Sequence, residues 1–208
     1  MISGFNSEKR VRIVSSEITN FLGLLNDSSP KVQYVCLCSL NTICDLAGVS
    51  ILKHQNFIQI LQMLVEKIKI SELHLKQVSY ILRNLCRVCK EQGLQNFTSI
   101  AGDLISVLIQ ESITPNSSLQ SLNDAMLAIM DLLDVSGNSE LHVKQINFIL
   151  DNFSKLGSLQ QEKREEVESG FLTIIQTCLL CLTKGGDIGG ELLEKIYKLV
   201  INHFTKKN

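Results

Sequence analysis

The chain has 208 residues with 20 Lys and Arg against 21 Asp and Glu, so its net charge of −1 gives no bulk attraction to nucleic acid or to an anionic membrane. Hydrophobic residues make up 45% and charged residues 20%, enough to bury a core in one domain or one short repeat array. With no Trp, three Tyr, eight Phe and only two prolines, the core must be aliphatic, and helix is favoured over a β-sandwich with many turns. The start meets charge at Glu8, Lys9, Arg10 and Arg12, unlike a signal peptide. No uninterrupted run of about 18 apolar residues is present, so no spanning helix is expected.

Residues 1–14 read as a flexible polar lead-in, and a first helix is expected from Ser16 to Leu25 on Ile18, Phe21, Leu22 and Leu25. Asn26 to Ser29 stop it. Ser29 can cap the next helix, and Pro30 suits a first helical position. The second helix carries Val32, Val35, Cys36, Leu40, Ile43 and Ala47 and is expected to end at Gly48. The third spans His54 to Lys69, with Phe57, Ile58, Leu61, Leu64, Val65 and Ile68 inward. The fourth is capped by Ser71, carries Leu73, Val78, Ile81, Leu82, Leu85 and Val88, and closes at Gly93.

The fifth helix runs from Thr98 to Glu111, and Thr114 to Ser118 form a loop. The sixth uses Leu119, Leu122, Met126, Ile129, Met130 and Leu133, with a turn around Gly137. The seventh is Ser139 to Lys155 and the eighth Leu159 to Leu182, its first turns highly charged. Gly185 to Gly190 break the eighth, and Glu191 to Phe204 form the last. About nine helices with short links make an all-α chain of stacked antiparallel helix pairs.

Ile43, Asp45, Leu46, Val49 and Ser50 match Ile129, Asp131, Leu132, Val135 and Ser136 at one offset, and Asn56-Phe57-Ile58 matches Asn147-Phe148-Ile149. A single helical domain over 15–208, divisible into related halves 15–112 and 117–206, would account for this, as would chance similarity between amphipathic helices. Phe21 to Gly48 goes further, with Leu24, Leu25, Asp27, Pro30, Val32 and Leu40 in order. That stretch resembles a single HEAT or armadillo unit, with Gln33 where a basic residue is common. The resemblance is loose over Gln62 to Gly93 and fades elsewhere. It implies an α-solenoid scaffold that binds a protein or peptide along the ridge of second helices, with Gln33, Tyr34 and Asn41 as candidate contacts. Ser118 to Leu156 resembles instead the helical ectodomain segments of polycystin-type and adhesion-receptor proteins. That resemblance implies an extracellular position and sugar on Asn26, Asn96, Asn116 or Asn152, each in an Asn-x-Ser/Thr triplet.

Seven cysteines sit inside apolar helical patterns, which is how reduced thiols look in a cytoplasmic protein. Cys86-x-x-Cys89 and Cys178-x-x-Cys181 have zinc-like spacing but fall mid-helix, and core packing is the expected role. The four histidines are scattered with no His-Glu-x-x-His, and Gly185 to Gly190 lack the Lys-Ser/Thr of a phosphate loop. No catalytic, cofactor or metal residue is therefore assigned. The charged start of the eighth helix, including Lys163 and Arg164, is a solvated face or a second docking candidate. A scaffold without catalytic activity is the functional expectation, with the oligomeric state left open.

Overall fold

A computed structural model describes residues 7–94, 97–114, 118–137, 139–185 and 189–205. Among these the backbone forms nine α-helices and no strand. They are α1 (Ser7–Leu25), α2 (Pro30–Leu52), α3 (Phe57–Ile68), α4 (Glu72–Gln92), α5 (Ala101–Ser112), α6 (Leu119–Ser136), α7 (Ser139–Phe153), α8 (Gln161–Gly185) and α9 (Gly190–Thr205).

The helices form two layers. Each even helix packs on its even neighbours, α2 on α4, α4 on α6 and α6 on α8, while α1, α3, α5, α7 and α9 stack in a parallel row. α1, α3, α5 and α7 each also pack on the even helix that follows, giving four stacked hairpins, and α9 stacks on α7. This is the expected all-α solenoid. Its core is one continuous aliphatic cluster threaded between the layers, from Ile18 and Leu25 through Leu85 and Leu132 to Phe171 and Ile174.

Local sequence explains most of the boundaries. Gly93 and Gly137 close α4 and α6 with φ of 62° and 61°, a left-handed conformation that glycine adopts without a Cβ clash. Ser71 and Ser118 accept hydrogen bonds from the backbone N–H groups of His74 and Ser121, capping α4 and α6. Ser29 makes no such cap. Asp27 organises that turn instead, its Oδ1 accepting from Ser29 N at 2.7 Å and its carbonyl from Gln33 Nε2 at 2.6 Å.

The structure corrects several expectations. α1 begins at Ser7, so part of the expected lead-in is helical. α2 does not stop at Gly48. It bends at Ala47 (φ −143°, ψ 31°) and continues to Leu52, because Gly48 is a contact point against Val88 of α4 rather than a terminus. The end of the seventh helix tightens into a 3-10 turn over Ser154–Ser158. Val35, Ile58, Leu73 and Leu119, counted as inward from period alone, are exposed. A stripe fixes which helix face is apolar but not how many neighbours cover it. α2 and Gln161–Thr183 of α8 are, by length and composition, long and apolar enough to cross a membrane, which a search for one unbroken apolar run overlooks. In this fold both are stack helices, α2 packed on α1 and α4, and α8 on α6 and α7.

Candidate functional site

The even-helix layer carries an open groove of about 450 Å³ across α2, α4 and α6, lined by Asn41, Tyr80, Arg83, Asn84, Cys86, Arg87, Lys90, Asp131, Asp134 and Val135. The helical period of α4 creates it. Arg83, Arg87 and Lys90 lie four and three residues apart, which puts three cations on one face. Each reaches a carboxylate on a flanking helix. Arg87 Nη2 is 3.2 Å from Asp45 of α2, Arg83 Nε is 3.2 Å from Asp131 of α6, and Lys90 Nζ is 2.5 Å from Asp134 of α6. Asn84 Nδ2 donates to Asn41 Oδ1 at 3.0 Å across α2 and α4. Arg87 also holds Glu91 of its own helix at 3.1 Å. The Asp134 carboxylate beside Lys90 pushes that ammonium's pKa above its ordinary value.

These side chains are substantially exposed. They are fixed in position by partners on neighbouring helices yet present donors and acceptors to solvent. The groove can therefore exchange hydrogen bonds with the main chain and polar side chains of a bound segment without first ordering its own residues.

The candidates named from sequence divide by location. Asn41 lines the groove, and Tyr34 lies on the same helix with its ring edge-on to His74 at 6.0 Å. Gln33 is buried and spends its amide on the α1–α2 turn. Lys163 is also buried; its ammonium donates to the Thr114 carbonyl, and burial lowers its pKa while the nearby Glu72 raises it. Glu72 accepts from Ser118 N at 3.3 Å and Ser121 Oγ at 2.8 Å, and the hydroxyls of Ser118 and then Ser121 hold its carboxyl below the usual range. Lys163 thus belongs to a polar tie between the starts of α4, α6 and α8. Arg164 is half-exposed and pairs with the buried Glu168 at 2.7 Å. Arg83, Arg87, Lys90 and their acidic partners were missed, although the matched Asp45 and Asp131 were a visible signal.

The cysteine pairs do not converge. Cys86 and Cys89 lie on α4, Cys178 and Cys181 on α8, with α6 packed between those helices. Burial pushes the Cys36 thiol up to about 11 and Cys178 to about 12, and raises Cys44 and Cys86 as well, disfavouring the thiolate that metal or redox chemistry needs. Of the Asn-x-Ser/Thr triplets, Asn96 and Asn116 lie outside the described residues. Asn26 is exposed in a turn. Asn152 is buried, its Nδ2 donating to the Phe148 carbonyl at 2.7 Å and its Oδ1 accepting from Lys155 at 2.6 Å.

No protein-family model matches the chain, and no curated protein matches it. Among solved structures, a chain of the Kap95:Nup1 complex superposes with a TM-score of 0.78 over 97% of this chain, at 16% sequence identity. The match takes up 24% of that chain, so this protein spans about a quarter of its length. At that identity the likeness speaks for architecture, and with the two-layer stack it shows that this chain has the fold of a HEAT-repeat α-solenoid.

Proposed function

We propose that the chain is a non-catalytic scaffold that binds an extended polypeptide segment of a partner protein across the groove of α2, α4 and α6. The ladder of Arg83, Arg87, Lys90, Asp45, Asp131 and Asp134 carries this reading. It supplies charges of both signs beside the Asn41–Asn84 amides, the mixture that receives a peptide main chain and its polar side chains. Hydrogen-bonded and partly preorganised, these groups lose little side-chain freedom on binding. The solved likeness, a solenoid in complex with a protein, supports the reading by fold alone. The cytoplasmic setting goes with the reading of cysteines inside apolar helical patterns as reduced thiols. For the extracellular alternative, the Asn152 amide is buried and hydrogen-bonded while Asn26 is exposed, so these two triplets favour neither setting.

The test is site-specific photocrosslinking in native extract. A crosslinker replacing Tyr80 in the groove is expected to capture a discrete partner that one replacing Gln62 on α3 does not. The double variant R83E/R87E should abolish the Tyr80 product while the helical spectrum stays intact. Equal products from both positions, or indifference to the charge reversal, would overturn the groove as the binding face.

A further inference from the structure

The three cations of the groove are used unequally. Arg87 commits both of its terminal nitrogens, Nη2 to Asp45 at 3.2 Å and Nη1 to Glu91 at 3.1 Å. Lys90 is taken by Asp134, and its side chain is 71% accessible, so water reaches its remaining N–H bonds. Arg83 differs on both counts. It meets Asp131 through Nε, at 3.2 Å, and among the described residues its Nη1 and Nη2 donate to no group of the chain. At 37% accessible, its side chain is also the least exposed of the six that make the ladder.

The edge of a guanidinium formed by Nη1 and Nη2 offers two parallel N–H donors in a fixed plane. A carboxylate matches that edge with one oxygen to each nitrogen. The neighbours of Arg83 in the groove are donors as well. Tyr80 lies one turn earlier on the same face of α4, and its hydroxyl makes no hydrogen bond among the described residues. Asn84 gives its Nδ2 to Asn41 Oδ1 at 3.0 Å, which leaves the Asn41 Nδ2 unused. The acids nearby are already matched, because Asp45, Asp131 and Asp134 each hold one of the three cations. Glu91, the acid in excess of that balance, lies two turns beyond Arg83, about 12 Å along α4.

We infer that Arg83 anchors the bound segment by a carboxylate, either an Asp or Glu side chain or the terminal carboxylate of a chain. This rests on the groove being the binding face, and it names the chemistry that the face selects. Asp131 keeps Nε while the partner's carboxylate takes the Nη edge, and Tyr80 and Asn41 offer donors for its remaining lone pairs. Bonds of this kind are charge-assisted and about twice as strong as neutral ones. A basic side chain finds no equivalent place. Every carboxylate of the ladder is engaged by a cation and is more exposed than Arg83, so it has more water and less need of a partner.

The test is nuclear magnetic resonance of the full, nitrogen-labelled chain titrated with three capped tripeptides. Acetyl-Gly-Glu-Gly-amide carries a side-chain carboxylate, acetyl-Gly-Gly-Gly a terminal one, and acetyl-Gly-Gln-Gly-amide none. A carboxylate peptide is expected to shift the Arg83 Nε–H and Asn84 amide signals saturably, at least tenfold more tightly than the Gln peptide. The tighter of the two carboxylate peptides identifies the source. R83K keeps the charge but lacks the fork, and should weaken that binding at least tenfold at the Asn84 amide while the rest of the spectrum stays folded. Equal shifts by the Gln peptide, no saturable shift by either carboxylate peptide, or unchanged binding by R83K would overturn the anchor. If the peptides fail while the Tyr80 crosslink still forms and responds to R83E/R87E, the groove stands and the carboxylate alone falls. If the crosslink fails too, both fall.

Discussion

Gly48 shows how one missing methyl group sets the spacing of the even layer. A Cβ built there would stand 2.9 Å from Val88 Cγ2, and Val88 is a stiff β-branched side chain on the adjoining helix. Gly48→Ala is expected to lower unfolding free energy by about 1–2 kcal/mol, the overpacking cost outweighing the helix propensity that Ala gains. Val88→Ala in the same chain should recover part of that loss, which a double-mutant cycle in urea would measure. Gly170 supplies the contrast. Its Cβ would meet Met126 Sδ at 3.0 Å, and the unbranched methionine can swing aside, so Gly170→Ala should change stability much less. His74 is the second single residue with a measurable consequence. It is buried, with Nδ1 2.7 Å from Ser71 Oγ, and burial is the main cause that lowers its pKa. Lys67 adds to that lowering and the Pro30 backbone opposes it. Among the other groups near it, the Tyr34 ring carries no charge at these pH values. A base whose folded pKa is depressed binds fewer protons folded than unfolded, so stability rises with pH across the interval between the two values. The chain should lose stability as pH falls below about 6.5, the ordinary histidine value. Urea midpoints at pH 7.5 and 5.5 should converge in His74→Asn, which keeps an acceptor or donor near Ser71 without the titration.

Between helices, the charged ladder of the groove separates stability from binding. Its pairs are exposed, with Arg87 and Asp45 side chains 50% and 63% accessible, and such pairs are worth about 0–1 kcal/mol. Arg83→Ala with Arg87→Ala should therefore shift thermal unfolding only slightly while weakening partner capture at the groove strongly. A large loss of stability together with intact capture would contradict the proposed role. The same helices show what the sequence makes legible. Helix number and most boundaries could be read because 3.6-residue stripes and glycine or serine termini are local signals, as at Ser71, Gly93 and Gly137. The bend at Ala47 was not legible, because Gly48 is a terminus signal in sequence and its real role depends on Val88, forty residues on in chain order, roughly. The groove was half legible. Asn41, named on the best-matched repeat unit, lines the groove, whereas Gln33, named with it, turns its amide into the α1–α2 turn. Arg83, Arg87 and Lys90 form a basic stripe that period alone could reveal, but their pairing with Asp131 and Asp134 depends on which helices become neighbours.

At the scale of the whole stack, stability is a property of position. In a solenoid each hairpin touches only the hairpins beside it, so the free energy of opening a segment depends on how many sides are covered. α4 lies between α2 and α6, and α6 between α4 and α8, each also packed on its own odd helix. α9 packs chiefly on α7, and Leu193, Tyr197 and Ile201 remain in solvent. Native-state hydrogen exchange should therefore show the slowest amides in α4 and α6, near Leu85 and Ile129, and the fastest helical amides in α9. A polar substitution in the centre, such as Leu85→Ser, removes a fully buried aliphatic side chain and should raise exchange in α2 and α6 as well as α4. Ile196→Ser, on the buried side of α9, should raise exchange in α9 and adjoining α7 while leaving α4 unchanged. Uniform exchange across all nine helices, responding equally to both substitutions, would mean that the chain unfolds as one cooperative unit and that the nearest-neighbour account of its stability is wrong.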